Sequence, residues 1–291
     1  MKVTLIEAPI CKGSPTDGSQ YAYRALTEAG LASCFDDVVL SPMKSPAAKE
    51  ENLPNMKDVG EVMAVCRELS GRVGGAIREG RLPIVIGGDH SVAIGSLAGA
   101  ASAVGAENLA VVYIDGHTDI NTDKTTLTGF LHGMPLAAAM GLCDDRLTVG
   151  GRVNLKGKNT FILGARSIDE GEYPIMASQG VTLYTAETIR RRGTAAVIGE
   201  VLNAVTTSAI HVSFDVDFLD QTEFPSTGYR MPDGLTLADA AEILTACFAT
   251  GRVCSLDVVE YNPLLDTDGR DREKLFSLLM QITRTERKVL S

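Results

Sequence analysis

Three short segments of the chain combine histidine with carboxylates at close spacing. They are Gly87-Gly88-Asp89-His90, Asp115-Gly116-His117-Thr118-Asp119 and Asp215-Val216-Asp217. In extended backbone, the alternating polar side chains of the second and third segments would project from one face. Either segment alone could be an exposed acidic turn. Three of the four histidines, including His132, lie beside such carboxylates or the loop that follows them, so a shared site is the better interpretation.

This concentration of carboxylates needs a counter-charge, because buried ionised groups are costly when they are unpaired. Divalent cations would supply it. Mixed oxygen and imidazole ligands suit manganese, and also zinc, nickel or cobalt. No cysteine is near the three segments, which weakens the case for a structural zinc site. The candidate ligands are too many for one such ion, so the sequence predicts two ions that share carboxylates and activate a bridging water.

The segments follow short, β-branched runs that are mostly apolar on both faces, which is typical of parallel strands covered by helices. The predicted strands are Val3–Ile6, Asp37–Leu40, Pro83–Ile86, Leu109–Ile114, Thr160–Leu163, Gly180–Tyr184, Ala209–Phe214 and Val253–Val259. Helical periodicity predicts helices over Val59–Arg78, Ser91–Val104, Leu131–Met140, Leu237–Phe248 and Asp271–Ile282, with Ser91 and Thr236 as N-cap residues.

Strands and helices alternate, which indicates an α/β fold with a mostly parallel sheet. No linker or internal repeat divides the 291 residues, so we expect a single domain over residues 1–291. Ligands of such sheets bind beyond the carboxyl ends of the strands. The long polar loops over residues 116–133 and 220–234 lie there.

Composition excludes several classes of partner. The formal net charge is -10, which argues against nucleic acid or an anionic membrane and is compatible with a cationic substrate. The N-terminal apolar run is too short for a signal peptide, and no stretch approaches the ~20 apolar residues of a membrane span. The six cysteines form no Cys-x-x-Cys pair, and reduced thiols are expected. We therefore expect a cytoplasmic protein.

In order along the chain, the motifs resemble the three signature motifs of the ureohydrolase family, the arginases and agmatinases. The matching residues are Gly87-Gly88-Asp89-His90-Ser91, Asp115-Gly116-His117-Thr118-Asp119-Ile120 and Ser213-Phe214-Asp215-Val216-Asp217. The similarity extends from Pro83 to Asn262-Pro263. It is greatest to arginases, because the stretch from Asp119 to His132 has arginase spacing.

The resemblance implies a three-layer α/β/α sandwich around a parallel sheet of eight strands, with two Mn²⁺ ions per subunit. One ion would be held by His90, Asp115, Asp119 and Asp215. The other would be held by Asp115, His117, Asp215 and Asp217. Homo-oligomers, trimers or hexamers, are common among arginase-like proteins and are expected here.

Substrate contacts are implied in the same way. Asn121 and Thr128 match positions that contact an α-carboxylate. Asp169 and Glu172 match the segment that binds the α-amino group. Glu260 matches the carboxylate that receives a guanidinium group, and Tyr229 takes the place of a threonine near the substrate.

The reaction that this implies is hydrolysis of a guanidino group. A hydroxide shared by the two ions would attack the guanidinium carbon, with Asp119 orienting it. His132 would deliver a proton to the leaving amine. The products would be urea, or a substituted urea, and an amine.

Departures from the family pattern surround the substrate and leave the predicted ligands intact. Gly116 stands where alanine is usual, Ser167 replaces an aspartate, and Arg230 follows Tyr229 in place of a proline. These changes suggest a shifted substrate, a modified arginine or another guanidino acid. The alternatives are hydrolysis of hydroxyarginine, formiminoglutamate or agmatine, or a catalytically silent metal-binding homologue.

Overall fold

Eight strands form one sheet in the computed structural model, which describes residues 2–44, 46, 48, 53–151 and 153–289. They are β1 (Lys2–Glu7), β2 (Asp37–Ser41), β3 (Leu82–Ile86), β4 (Leu109–Ile114), β5 (Thr160–Leu163), β6 (Thr182–Tyr184), β7 (Ala209–Asp215) and β8 (Val253–Val259). Their spatial order is β2-β1-β3-β8-β7-β4-β5-β6. All eight predicted strands are confirmed, with ends that differ by at most two residues. Every pairing is parallel, so the sheet is entirely rather than mostly parallel.

Helices cover both faces of the sheet. They are α1 (Ala22–Glu28), α2 (Val59–Arg78), α3 (Ala93–Val104), α4 (Pro135–Ala139), α5 (Glu172–Gln179), α6 (Ala186–Arg192), α7 (Thr194–Ala204), α8 (Leu237–Ala249) and α9 (Arg270–Val289). One core cluster contains α1 and α6 to α9, and the other contains α2 to α5. The central strands β3, β4 and β7 are buried along their whole length, because both faces are covered. The predicted three-layer α/β/α sandwich is confirmed.

Two of the predicted helix starts differ from the structure. Ser91 is not an N-cap: the Asp89 carboxylate accepts a hydrogen bond from the Ser91 amide, and a 3-10 turn over His90–Val92 leads into α3. The predicted helix Leu131–Met140 is split into a 3-10 turn over Leu131–Gly133 and the short α4. Pro135 explains the split, since proline disfavours helical geometry in the residue before it and donates no hydrogen bond.

The predicted cap of α8 is confirmed. Thr236 accepts a hydrogen bond from the Asp239 amide, and the Asp239 carboxylate accepts one from the Thr236 amide, which completes a capping box. Among the described helices, none combines the length and the apolar character that a membrane crossing requires.

Candidate active site

Five neighbouring strands, β3, β8, β7, β4 and β5, end at one edge of the sheet, and the predicted site residues follow them. β3 leads to His90, β4 to Asp115, β7 ends at Asp215 and β8 precedes Glu260. β5 leads into the segment 164–172. The parallel topology therefore gathers residues that are up to 170 positions apart in the sequence.

Two glycines turn the chain sharply between β3 and His90. Gly87 and Gly88 have φ values of 85° and 83°, which favour glycine. A Cβ at Gly88 would lie 2.9 Å from the carbonyl oxygen of Ala8, so the close approach also requires a residue without a side chain. The turn directs His90 into the site instead of along the strand.

Imidazole and carboxylate atoms meet in two groups that share Asp115. His90 Nδ1 lies 2.8 Å from Asp115 Oδ2 and 3.1 Å from Asp215 Oδ2. His117 Nδ1 lies 3.0 Å from Asp217 Oδ2 and 3.5 Å from Asp115 Oδ1. The ligand atoms of each group lie within 4.8 Å of one another, a spacing that could hold a metal ion.

Asp119 stands beside the first group without belonging to it in this geometry. Its Oδ2 lies 3.3 Å from His90 Nδ1 and accepts a hydrogen bond of 2.9 Å from the Tyr113 hydroxyl. Asp215 belongs to the first group only. Each three-residue group thus contains part of one predicted ligand set and could hold an ion. The assignment of these residues as ligands, with Asp119 and Asp215 as the fourth members, stays a prediction.

Backbone amides orient the carboxylates. His117 N donates to Asp115 Oδ1, Asp217 N to Asp215 Oδ1, and Gly116 N to Asp217 Oδ1, at 2.6, 2.8 and 3.0 Å. In each case the other oxygen, Oδ2, faces an imidazole. One oxygen of each carboxylate is therefore held by a backbone amide, from the local turn for Asp115 and Asp215 and from Gly116 for Asp217, and the second faces an imidazole.

His90 is fixed from two further directions. Its Nε2 lies 2.8 Å from the Ser213 hydroxyl, and its ring stacks on Tyr113 at a centroid distance of 4.5 Å and an angle of 6°. Partners of this kind set the orientation of a metal-binding histidine. The Nδ1 atom consequently points at the carboxylates.

The extended backbone predicted from alternation is wrong for the second segment and for the third. β4 ends at Ile114, and the chain bends over residues 115–119 instead of continuing as a strand. In the third segment, a 3-10 turn over Val216–Phe218 follows Asp215 directly. Asp119 has φ 47°, an uncommon conformation for a residue other than glycine. Asp115, His117 and Asp119 converge because the chain curls around the site, not because they share a strand face.

The electrostatics show how crowded the negative charge is. Burial and the charge of Asp115 raise the pKa of Asp119 to about 8. Burial and the charges of Asp217 and Asp115 raise the pKa of Asp215 well above its usual range. For His90, burial alone would lower the pKa, but Asp115 and Asp215 outweigh it and raise the pKa. Without another cation, protons must neutralise the cluster.

These residues fit a pair of divalent cations. The donors are imidazole nitrogens and carboxylate oxygens, the set that Mn²⁺ and similar ions accept. His90 Nδ1 and Asp115 Oδ2 are both buried, and neither takes part in a hydrogen bond of regular geometry within the described part of the chain. An ion between them would satisfy both atoms and replace the protons.

A cavity of about 150 Å³ adjoins the cluster. Its lining includes the predicted ligands His117 and Asp119, and the predicted proton carrier His132. All five predicted substrate residues also line it, namely Asn121, Thr128, Asp169, Glu172 and Tyr229. Thr128 is exposed whereas Asp119 is buried, so the cavity leads from the surface to the cluster.

The predicted amino-acid end of the site is a hydrogen-bonded unit. Asn121 Nδ2 donates to Asp169 Oδ2 at 2.9 Å, and the Thr125 hydroxyl donates to Asn121 Oδ1 at 2.9 Å. Glu172 accepts from the amides of Ile120 and Asp169 at 3.1 and 2.8 Å. Each carboxylate oxygen of Glu172 therefore accepts a hydrogen bond from a backbone amide, which links the segment 164–172 to the loop that follows Asp119.

Glu260 lies behind the cavity lining, next to His132. Its Oε1 accepts a hydrogen bond of 3.0 Å from the His90 amide and lies 3.6 Å from His132 Nδ1. The φ of Glu260 is 63°, a strained conformation of a type found at functional sites. Burial alone would lower the pKa of His132, but the carboxylate of Glu260 outweighs it and raises that pKa.

Tyr229 narrows the cavity between two histidines. Its ring lies 5.7 Å from the His117 ring, edge on, and 5.3 Å from the His132 ring. The departure at this position therefore falls beside the cluster itself, not only at the entrance.

Sequence reasoning missed several residues of the site. Thr126 and Phe130 line the cavity, and their place between Asn121 and His132 was an available signal. Tyr113 lies within a buried apolar strand, and nothing in the sequence marks it as a partner of Asp119. Arg166 holds the backbone of two loops, which only the three-dimensional structure shows.

Comparison with known proteins shows the family to which the chain belongs. The sequence model of the Arginase family matches residues 1–283. The arginase of Bacillus subtilis (strain 168) is 36% identical over 272 residues, which cover 91% of each chain. The structure of arginase from Bacillus cereus has a TM-score of 0.90 and 31% identity, and the match covers 97% of this chain and 98% of that one. Entamoeba histolytica arginase in complex with L-ornithine has a TM-score of 0.89 at 31% identity, covering 96% and 97%.

A parallel α/β/α sandwich with a buried histidine and aspartate cluster at its strand ends is the framework of a class of metal-dependent hydrolases that cleave C–N bonds in linear amidines. The chain belongs to the Arginase family, whose members are binuclear metal enzymes. The family resemblance of the sequence motifs is thereby confirmed.

Proposed function

We propose that this enzyme hydrolyses the guanidino group of arginine, or of an arginine-like guanidino acid, to urea or a substituted urea and an amine. The proposal rests on one observation. A single cavity is lined both by members of the histidine and aspartate cluster and by the hydrogen-bonded pair Asn121 and Asp169. A substrate with a reactive group at one end and an amino-acid group at the other would span it.

The proposed cofactor is a pair of Mn²⁺ ions per subunit, with other divalent metals as alternatives. The proposed ligands are His90, Asp115, Asp119 and Asp215 for one ion, and Asp115, His117, Asp215 and Asp217 for the other. The raised pKa values of Asp119 and Asp215 support the proposal, because they reflect a deficit of positive charge. Manganese is proposed from the family resemblance, since imidazole and carboxylate ligands suit zinc, nickel and cobalt as well.

Recognition of an amino-acid end rests on charge and hydrogen bonding. The Asp169 carboxylate at the partly open side of the cavity would attract an α-ammonium group. The side chains of Asn121 and Thr128 could donate to an α-carboxylate. The relative solved with L-ornithine, an α-amino acid, supports this end of the substrate.

The chain's own residues would then move and hold the reacting groups. When bound, the two ions would supply a hydroxide nucleophile at neutral pH from a shared water. The Asp119 carboxylate, held by the Tyr113 hydroxyl, would orient that nucleophile toward the guanidinium carbon. His132 has a raised pKa and would pass its proton to the leaving amine nitrogen as the C–N bond breaks. Glu260 would hold the guanidinium group through charge-assisted hydrogen bonds.

A modified arginine is a second candidate substrate, and Tyr229 is the observation that favours it. Its ring fills space beside both His117 and His132, where a guanidino group would react. A pocket reshaped at that point would alter which substituents on the guanidino group are accepted.

A substrate panel with Mn²⁺ tests the proposal. Urea, substituted urea, formamide and amine release are measured for L-arginine, N-hydroxy-L-arginine, 4-guanidinobutyrate, agmatine and formiminoglutamate. We expect kcat/KM to be at least about 100-fold higher for the best guanidino amino acid than for agmatine, since agmatine lacks the carboxylate. Preference for agmatine or formiminoglutamate would contradict the proposal. A wide preference for L-arginine over every other compound would reject the shifted-substrate candidate alone.

The same panel separates an enzyme from a catalytically silent homologue. A silent protein would bind Mn²⁺ and release no product from any compound. Calorimetric titration of the metal-free protein therefore accompanies the panel, and binding without turnover would favour the silent homologue.

The remaining proposals concern context. We propose a single domain over residues 1–291, which the continuous sheet supports, and a cytoplasmic location, which the six free cysteines support. A homo-oligomer, a trimer or a hexamer, is proposed from the family resemblance and is tested by light scattering. No nucleic acid and no membrane are proposed as partners, in keeping with the net charge of -10.

A further inference from the structure

The guanidinium group of Arg166 joins two segments of the site through their backbone carbonyls. Nη2 donates to the carbonyl oxygens of Asp217, Leu219 and Met231, at 2.7, 3.3 and 3.3 Å. Nε donates to the carbonyl oxygen of Pro232 at 2.9 Å. Within the described residues, Arg166 forms no ion pair with a carboxylate. Its guanidinium group donates its hydrogen bonds to backbone carbonyl oxygens instead.

Gly116 makes room for this arrangement. A Cβ at Gly116 would lie 2.6 Å from Arg166 Nη1, 2.8 Å from Met231 Cε and 2.9 Å from Asp217 Oδ1. The Gly116 carbonyl also accepts a hydrogen bond of 2.8 Å from the Arg166 amide, and its amide donates to Asp217 Oδ1. Alanine is usual at this position in the family, and a side chain larger than its methyl group would push apart the atoms that Arg166 brings together.

The two segments carry different parts of the site. The first begins at Asp217, which faces His117 in the second metal-binding group. The second follows Tyr229, whose ring contacts the rings of His117 and His132. A rigid link between these segments therefore connects the geometry of one ion site with the width of the substrate cavity.

We infer that Arg166 and Gly116 form a positioning unit that fixes Asp217 and the Tyr229 segment relative to each other. This unit sets the affinity of the ion site formed by Asp115, His117 and Asp217, and it sets the fit of the substrate at the same time. The inference rests on the proposed metal assignment. It concerns residues that neither touch the substrate nor bind an ion.

Arg166→Lys tests the inference, because lysine keeps the charge but has no donor at the Nε position, and its single nitrogen falls short of the Nη2 position. It therefore cannot reproduce the hydrogen bonds that arginine makes to the two segments. The metal-free protein is titrated with Mn²⁺ in a calorimeter. We expect one ion to bind about 10- to 100-fold more weakly than in the parent while the other is unchanged. KM for the best substrate should rise in the same variant. Two ions bound with parental affinities would overturn the inference.

Arg190→Lys is the matched control. Arg190 Nη1 donates to the carbonyl oxygens of Asp233 and Gly234, close to the same segment, but among the described residues it donates no hydrogen bond to the segment 217–219. This variant should keep parental ion affinities and KM. An equal loss in the Arg190 variant would mean that general loosening of the loop, and not a link between the two segments, explains the result.

Gly116→Val keeps the inference testable if Arg166→Lys does not fold. Gly116 does not have the positive φ that would strain a side chain, and valine is larger than the alanine that is usual at this position, so it acts through contact with the atoms around Arg166. We expect selective weakening of one ion, and unchanged binding of both would overturn the inference. The metal titration needs no substrate, so a parent protein that hydrolyses no guanidino compound would refute the proposed function without deciding this result.

Discussion

Glu260→Gln removes a charge from the site while preserving its shape. The parent carboxylate accepts a hydrogen bond of 3.0 Å from the His90 amide, and a glutamine oxygen can accept the same bond. The variant loses the negative charge that would face the guanidinium group and that lies 3.6 Å from His132 Nδ1. The substitution therefore tests electrostatics without opening a cavity.

The expected effect follows from the loss of one charge-assisted interaction. Hydrogen bonds to charged groups contribute about 1.5–3 kcal/mol, which corresponds to a loss in kcat/KM of about 10- to 150-fold. The pH dependence should change too. Glu260 raises the pKa of His132, so its removal lowers that pKa. Activity that needs the protonated imidazole declines as the pH is raised, and this decline should begin at a lower pH in the variant than in the parent.

The assay is steady-state urea release over a pH series, with Mn²⁺ binding measured by calorimetry. Glu273→Gln, at an exposed position of α9, serves as the control for loss of a carboxylate elsewhere. Parental kcat/KM and an unshifted alkaline limb in Glu260→Gln would refute the reasoning. A loss explained entirely by weaker metal binding would also refute it.

Three further predictions concern the cavity and the metal cluster. Tyr229→Thr should widen the space between His117 and His132. It should change the ratio of kcat/KM for N-hydroxy-L-arginine to kcat/KM for L-arginine by about 10-fold, as single pocket contacts commonly do. An unchanged ratio would show that Tyr229 does not select the substrate. Removal of metal should lower the free energy of unfolding by about 5 kcal/mol, relative to protein with each ion at 100 times its Kd. The loss is measured as a lower Tm. An unchanged Tm after chelation would count against two bound ions. In the metal-free protein, Asp119 has a raised pKa, so the folded state holds a proton that the unfolded state releases near pH 4. The free energy of unfolding should therefore fall as the pH rises from about 4 to 8. Denaturant titrations of Asp119→Asn should show a weaker pH dependence than those of the parent.

The strands were predictable because burial on both faces leaves a direct mark on the sequence. β4 and β7 are continuous apolar runs, and their bounds were predicted to within one residue. The helices were harder. α6 and α7 were not predicted, because these short helices are separated by a single residue, Gly193, and give no long periodic run.

The residue types of the candidate site were predictable, but their geometry was not. His90, Asp115 and Asp215 could be placed at strand ends from the sequence alone. The curled conformation of Asp119 could not, because aspartate adopts a positive φ more often than most residues do, but its sequence position does not show where this happens. The same holds for Arg166, whose partners are main-chain carbonyls that any sequence would supply.

The most direct test of the proposed function is urea release from L-arginine or the best guanidino acid during stepwise addition of Mn²⁺ to the metal-free protein. Two ions sharing Asp115 and Asp215 predict that urea release rises with added metal and saturates near two ions per chain, and that a chelator abolishes it. Saturation at one ion, equal urea release in the presence of chelator, or no urea from any guanidino acid at saturating metal would contradict the proposal.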